Sequence, residues 1–302
     1  MSKTQYRGIF LAIFAASLYA INSPLSKVLL NYIPPTLMAG LLYLGAGLGM
    51  LIIAAIRKIG KSESTEQPIT MGDMPSVIAM IVLDIAAPIF LLLGLNMTSA
   101  ANASLLNNFE IVATAIIALI VFKEQISARL WLGIGAVTVS CALLSFEGAT
   151  SLSFSHGSLF ILLAALCWGF ENNCTRRLSS KDPLLIVLLK GIFSGLGSVT
   201  IGLIIGERIQ TVWSIFAVLL VGFVAYGLSI FFYVYAQRLL GAARTSAYYA
   251  VAPFIGSALS FIVFPALPPY TYFIALLLMA IGAWLCSSDA PIFKSKKMDT
   301  SD

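Results

Sequence analysis

The chain has 302 residues, of which 59% are hydrophobic and only 10% charged, with a mean hydropathy of +0.96 and a formal net charge of +5. Soluble globular domains carry about 25% charged residues, so this composition excludes an ordinary soluble domain. The basic residues are spread over six separate polar segments rather than one face, which argues against a nucleic-acid-binding surface. The chain is therefore predicted to be an integral membrane protein.

In chain order the sequence contains ten apolar runs, each close to the roughly 20 residues that a helix needs to cross a bilayer. Lipid offers no water to the backbone, so such runs are expected to be helical. The predicted fold class is all-α integral membrane with ten transmembrane helices. The predicted spans are 8–28, 36–56, 75–96, 100–122, 129–146, 157–176, 184–205, 212–236, 242–264 and 270–287.

The 18 Lys and Arg residues are distributed unevenly between the two sides. With the N-terminus in the cytoplasm, all of them fall in cytoplasmic segments except Lys27 and Arg208, which are outside, and Lys190, which is within a span. This is the positive-inside pattern. We therefore expect a multi-pass protein of the cell membrane, the bacterial inner (plasma) membrane, with cytoplasmic N- and C-termini.

The second half of the sequence repeats the first. Residues 8–27 align without gaps with residues 157–176, and residues 100–122 align with residues 242–264. Within the first pair, Gly8 matches Gly157, Tyr19 matches Trp168, Asn22 matches Glu171, and Lys27 matches Arg176. Such internal symmetry is typical of transporters, whose substrate site lies between the repeats.

Five spans per half give the second half the opposite orientation in the membrane, so the repeats are predicted to be inverted. The predicted domains are a first five-helix repeat at 1–147 and a second, inverted repeat at 156–288. Residues 289–302 are predicted to form a cytoplasmic tail.

Three motifs carry a resemblance to a known family: LYAINSPLSK at 18–27, TSAANASLLNNFEIVATAIIALIVFKEQIS at 98–127, and TSAYYAVAPFIGSALSFIVF at 245–264. They resemble EamA-type members of the drug/metabolite transporter superfamily. The resemblance implies ten helices, alternating access and transport of a small metabolite, frequently export. The chain departs from the family at Ile111, where a proline is usual, and at 265–269, which lack the Glu-containing turn.

Four charged residues lie inside predicted spans, where each costs about 2.5–3.5 kcal/mol on insertion scales. Asp84 is expected either to pair with a neighbouring helix or to contact substrate or carry a proton. Glu110 is expected to line a cavity or to bridge the fourth and first spans. Glu171 is expected at the site or in an ion pair with Arg176 or Lys190. Lys190 is expected either to reach the cytoplasmic face or to pair with Glu171.

Amide and aromatic side chains complete the predicted substrate site. Asn107 precedes Glu110 by one helical turn, and Pro24 is expected to break the first span near Asn22 and expose backbone carbonyls. Aromatic residues on the first, sixth, eighth and ninth spans supply candidate ring walls. The predicted substrate-binding residues are Tyr19, Asn22, Asp84, Asn107, Glu110, Trp168, Glu171, Asn172, Tyr226, Tyr248 and Tyr249.

No catalytic motif accompanies these residues. The one histidine, His156, is predicted to lie in an outer loop, and the four cysteines lack metal-binding or CxxC spacing. We therefore predict that the chain is not an enzyme and has no cofactor and no metal site.

The sequence favours a secondary transporter of a small polar solute within the lipid bilayer, most consistent with an amino acid or related amine and with export. Proton coupling through a carboxylate is one alternative to facilitated diffusion or exchange. A carrier of a neutral sugar or nucleoside, or a membrane subunit that transports nothing, are the competing interpretations.

The charge distribution generates a topology prediction. In a cysteine-free background, single cysteines replacing Ser64 and Ser153 should react with a membrane-impermeant reagent from opposite sides of the membrane. Labelling of both from the same side would exclude the inverted arrangement of five plus five spans.

Overall fold

The computed structural model describes residues 3–59, 68–123, 127–146, 155–178, 181–240, 245, 248–266 and 268–287. The first half contains α1 (Lys3–Ala20), α2 (Asn22–Leu29), α3 (Pro35–Ile59), α4 (Met74–Met97), α5 (Ala100–Leu106), α6 (Phe109–Phe122) and α7 (Ala128–Ser145). The second half contains α8 (His156–Arg177), α9 (Pro183–Leu189), α10 (Gly195–Ile204), α11 (Val212–Gly222), α12 (Ser229–Leu240), α13 (Ala252–Val263) and α14 (Tyr270–Ser287). The fold is helical, as predicted.

Within these described ranges, seven helices are long and apolar enough to cross a membrane, and two shorter apolar helices follow, Ala252–Val263 and Tyr270–Cys286. The predicted span at 157–176 is not among the seven, because α8 carries Glu171, Asn172 and Asn173 near its end. The span at 242–264 lies partly outside the described residues. The chain is thus a multi-pass helical membrane protein, and the ten-helix count stays a prediction.

Two predicted spans are broken near their middle. The first breaks at Ile21, between α1 and α2, so that Pro24 lies in the first turn of α2, where its missing N–H costs least. The fourth breaks at Asn107 and Asn108, between α5 and α6, where the amides of Asn108, Glu110 and Ile111 bond to carbonyls three residues earlier. Pro88, by contrast, lies inside an uninterrupted α4.

Two π-helical segments interrupt the second half: Lys190–Ser194 between α9 and α10, and Phe223–Leu228 between α11 and α12. A π turn inserts one extra residue into a helix and is found frequently at functional sites. Both segments pack against α3.

Glycines allow α3 to approach the second half at backbone contact. A methyl group at Gly45 would lie 2.8 Å from the carbonyl carbon of Leu219, and one at Gly47 would lie 2.8 Å from the carbonyl carbon of Gly191. Since lipid removes the hydrophobic drive between helices, close van der Waals packing of this kind holds membrane helices together. The site described below is built beside this contact.

The two halves pair in a reciprocal pattern. Helix α4 packs along α8, and α1 packs along α12; α6 packs on α8, and α13 packs on α1. Helix α3 lies against α10, and α7 lies against α14. Each of these pairs joins a helix of one half to a helix of the other.

The α3 contact generates a stability prediction. Gly45→Ala should lower the free energy of unfolding by about 1–3 kcal/mol, because the added methyl overlaps the Leu219 backbone. The matched control is Gly135→Ala: Gly135 has open space around its Cβ position, and alanine favours a helix over glycine by about 1 kcal/mol.

The measurement is thermal unfolding of the two variants in detergent, alongside the unmodified protein. Equal thermal stability of Gly45→Ala and Gly135→Ala would contradict the close α3 packing.

Candidate functional site

The centre of the site is a buried triad of charges. Lys190, the first residue of a π segment, places its Nζ 2.5 Å from Glu171 Oε1 and 3.4 Å from Asp84 Oδ2. Asp84 comes from α4 in the first half, whereas Glu171 and Lys190 come from the second half. Both carboxylates are almost fully buried, at 1% and 3% exposure. One ammonium group therefore compensates two acids that come from different halves.

Tyr43 and Trp168 extend the triad on the Asp84 side. The Tyr43 hydroxyl donates to Asp84 Oδ1 at 2.9 Å, and the Trp168 Nε1–H donates to the Tyr43 oxygen at 3.4 Å. Asp84 Oδ2 accepts no hydrogen bond from the described residues, so Lys190 supplies its compensation there. On the other acid, the Thr175 hydroxyl donates to Glu171.

Glu110 forms a second polar centre, between α6 and α8. Asn172 Nδ2 donates to Glu110 Oε1 at 2.6 Å and lies 3.3 Å from Thr114 Oγ1. The neighbouring Asn173 donates to the Thr114 carbonyl at 3.2 Å and to the Gly169 carbonyl at 2.8 Å. Glu110 is only half-buried, and among the described residues no cation forms an ion pair with it.

A cluster of tyrosines joins the two halves. The ring centroid of Tyr226 lies 5.3 Å from that of Tyr43 and 5.9 Å from that of Tyr19, and Tyr249 lies 6.1 Å from Tyr19 and 4.8 Å from Tyr233. Offset or edge-on rings at these separations attract one another. The cluster forms a continuous aromatic wall.

Two asparagines fix the orientation of this wall. Asn107 Nδ2 donates to the Tyr19 hydroxyl oxygen at 3.2 Å, and Asn22 Nδ2 donates to that of Tyr226, also at 3.2 Å. The Ser26 hydroxyl donates to Asn22 Oδ1 at 2.9 Å, which fixes the amide in turn. Both asparagines lie at helix breaks, Asn22 at the start of α2 and Asn107 after α5.

The structure brings together ten of the eleven residues predicted for the site; they form the triad, the Glu110 centre and the tyrosine wall. Tyr248 is half-buried, and no hydrogen bond or ring contact joins it to the described part of the site. It precedes Tyr249 on the same helix, and adjacent helical residues point in different directions. Its role in binding stays a prediction.

Lys190 belongs to the site. The sequence allowed two positions for its side chain, at the cytoplasmic face of the membrane or paired with Glu171. Its side chain is 12% exposed and pairs with Asp84 as well as Glu171. Tyr43 and Thr175, which donate hydrogen bonds to the two acids of the triad, were not predicted. A tyrosine in the middle of a long apolar helix is a weak signal, because membrane-facing tyrosines have the same appearance in a sequence.

None of the described residues form a group of three or more His, Cys, Asp or Glu side chains able to hold a metal ion. The arrangement offers ion pairing, amide hydrogen bonds and aromatic surface, which are means of recognising a solute.

Comparisons with known proteins point to a family of transporters. The model of the EamA-like transporter family matches the chain twice, at residues 6–146 and 155–288. An uncharacterized transporter of Methanothermobacter thermautotrophicus is 24% identical over 272 residues, covering 85% of this chain and 79% of the relative. The uncharacterized transporter YyaM of Bacillus subtilis is 23% identical over 254 residues, covering 79% of this chain and 80% of the relative.

A solved crystal structure has the same fold, with a TM-score of 0.68 and 17% sequence identity. The match covers 96% of this chain and 98% of the other.

The triad generates a prediction about folding. Lys190→Met should leave two buried carboxylates without a counter-charge, and breaking a buried ion pair costs about 3–5 kcal/mol. The variant should therefore yield little monodisperse protein after solubilisation, whereas the neutral triple variant Asp84→Asn, Glu171→Gln, Lys190→Met should recover it.

The matched control is Arg208→Met, which removes one positive charge from an exposed position. The measurement is the monodisperse fraction in size-exclusion chromatography together with thermal stability. A normal yield of Lys190→Met would show that the triad is dispensable for folding.

Proposed function

The chain belongs to the EamA-like transporter family, and from this premise we propose that it carries a small amino acid or related amine across the membrane by alternating access, with export as the direction. The transporter class and the membrane setting follow from the family. The solute, the direction, the bacterial inner membrane and the cytoplasmic termini are parts of the proposal.

The observation that carries the choice of solute is the charge of the site. Three acids and one base lie together, and the base is already shared by Asp84 and Glu171. Glu110 is the acid that has no ion pair within the described residues, and it is half-buried at the tyrosine wall. A carboxylate inside a membrane protein is costly unless paired, so a solute with an ammonium group supplies the missing charge.

The remaining groups of the site suit the rest of such a solute. Asn22, Asn107 and Asn172 present amides that can meet a carboxylate or hydroxyl group. The rings of Tyr19 and Tyr226 give an apolar wall for a side chain, and aromatic faces also attract cations. Amides and rings serve sugars and nucleosides equally well, and for this reason a neutral solute is the second candidate.

Alternating access requires two bodies that move relative to each other. The reciprocal pairing of α4 with α8 and α1 with α12 supports an inverted repeat, since exchange of the halves maps one pair onto the other. The triad crosses the boundary between the halves. In this proposal its ion pairs are remade as the halves rock about the α3 contact.

The proposal predicts that Glu110→Gln lowers transport of a labelled cationic or zwitterionic amine at least about tenfold, because the amide cannot ion-pair with ammonium. The control is Glu207→Gln, which changes another acid but keeps one of the two oxygens that accept from the Thr36 and Leu37 amides at the start of α3. The measurement is uptake into proteoliposomes, with amino acids, polyamines and sugars as the panel.

Two further arms complete the experiment. Transport of sugars alone, with no loss in Glu110→Gln, would replace the amine proposal by the neutral-solute one. An imposed pH gradient tests whether transport is coupled to protons. If the gradient changes the transport rate of the unmodified protein but not that of Glu110→Gln or Asp84→Asn, the substituted carboxylate carries the proton. If the rate does not respond to the gradient between about pH 5.5 and 8, transport occurs by facilitated diffusion or exchange.

A further inference from the structure

A small cleft lies beside the tyrosine wall, where the α1–α2 break meets the end of α5 and the start of α13. We call it the serine cleft, and its lining residues are Tyr19, Ala20, Ser23, Ser104, Asn107, Ala252 and Pro253. Its free space suits one group about the size of a water molecule, an ammonium group or a sodium ion. The cleft is separate from the Asp84–Lys190–Glu171 triad, none of whose members lines it.

Two polar atoms of the cleft have no partner. Ser104 Oγ and Asn107 Oδ1 form no hydrogen bond with the described residues, although the two side chains are only 4% and 8% exposed. Buried polar groups are nearly always hydrogen-bonded, so each such exception calls for an explanation. Asn107 Nδ2 donates one of its two N–H groups to the Tyr19 hydroxyl, and the atom of this residue that lacks a partner among the described residues is the acceptor oxygen Oδ1.

Proline chemistry adds one further acceptor. Pro24 has no N–H, so the carbonyl of Ala20, four residues earlier and in the lining of the cleft, lacks its helical donor. The carbonyls of broken membrane helices commonly coordinate cations. Gly256 keeps this region open, because a methyl group there would lie 2.9 Å from Ser104 Oγ and 3.1 Å from the Ala20 carbonyl oxygen.

The sign of the ligand follows from this set of atoms. Among the described residues, the lining contains no cationic side chain, and its polar side chains and freed carbonyl present neutral oxygen. Divalent cations favour carboxylate ligands, and there is none in the lining. Glu110 lies three residues beyond Asn107 and so supplies negative charge one turn away.

We propose that the serine cleft is a binding site for one small monovalent cation, held by Asn107 Oδ1, Ser104 Oγ and the Ala20 carbonyl. The occupant is either the ammonium group of the solute or a sodium ion, and both bind to neutral oxygens. The ammonium alternative rests on the proposed function, whereas the sodium alternative does not.

Binding is tested on the whole purified protein without any transport measurement. Thermal unfolding is followed while sodium chloride, ammonium chloride or methylammonium chloride replaces tetramethylammonium chloride at constant ionic strength. Tetramethylammonium is the reference, because it has no N–H donor and is too large for the cleft. We expect a saturable rise in melting temperature with sodium or with the two ammonium probes, since a ligand bound to the native state stabilises it.

Variants locate the effect. Ser104→Ala and Gly256→Ala should each weaken the apparent affinity about tenfold or more, since one removes a ligand oxygen and the other crowds it. Asn107→Asp should strengthen it by a similar factor by placing a carboxylate at the site. The matched control is Ser198→Ala: Ser198 is also buried, and its hydroxyl likewise has no partner among the described residues, yet it lies on α10 away from the cleft.

Each outcome decides a point. A rise in melting temperature with sodium alone identifies the cleft as a sodium site. A rise with the two ammonium probes alone identifies it as the site for the ammonium group of the solute. The proposal is overturned if the melting temperature of the unmodified protein shows no saturable rise, or if the rise is unchanged in Ser104→Ala and Asn107→Asp. Neither result bears on the transport experiment. A sodium shift in a protein that carries only sugars would retain the cleft and reject the amine solute.

Discussion

The ammonium group of Lys190 is the interaction on which the rest of the site depends. It lies within ion-pair distance of two carboxylates that approach from α4 and α8, helices of different halves. Removing three charges from water is expensive, and the attraction between them repays the cost only with close contacts and additional hydrogen bonds. Tyr43 and Thr175 supply such bonds, one to each acid. The triad thereby links the two halves, and Glu110 is left as the acid without an ion pair among the described residues.

The divergence of the two halves is as informative as their likeness. The first span of one half breaks at Ile21, whereas its counterpart α8 continues through Glu171 without interruption. A broken helix offers backbone carbonyls, and an unbroken one offers side chains. The first spans of the two halves thus contribute different groups, a freed backbone carbonyl from one and the Glu171 carboxylate from the other, while Asp84 and Glu110 add two further acids from the first half.

The sequence predicted the features that carry a large energetic penalty. Asp84, Glu110 and Glu171 stood out because charges in apolar runs are costly, and all three lie at the site. Lys190 stood out as well, but its long flexible stem can reach in several directions. Only the tertiary structure decides between them.

Other features had no strong local signal. The break at Asn107 and Asn108 involves neither proline nor glycine, and the two π segments, which pack against α3, carry no sequence motif that announces them. A π turn also rotates every later residue of its helix by about 100° relative to a regular helix. Helical periodicity therefore assigns residues that follow a π turn to the wrong face of the helix. For this reason the contacts of Tyr226 and Tyr233 could not be predicted from the sequence.

The division of the triad between the halves also bears on how the protein is made. Asp84 is synthesised roughly a hundred residues before Lys190, which at about 5–20 residues per second corresponds to roughly 5–20 s. During that interval the first half contains an acid whose counter-charge does not yet exist. Membrane insertion of α4 therefore precedes its neutralisation, and the nascent first half depends on α8 and α9 for its final form. Before the second half is made, the first half therefore holds Asp84 without its counter-charge, together with Glu110, which forms no ion pair among the described residues.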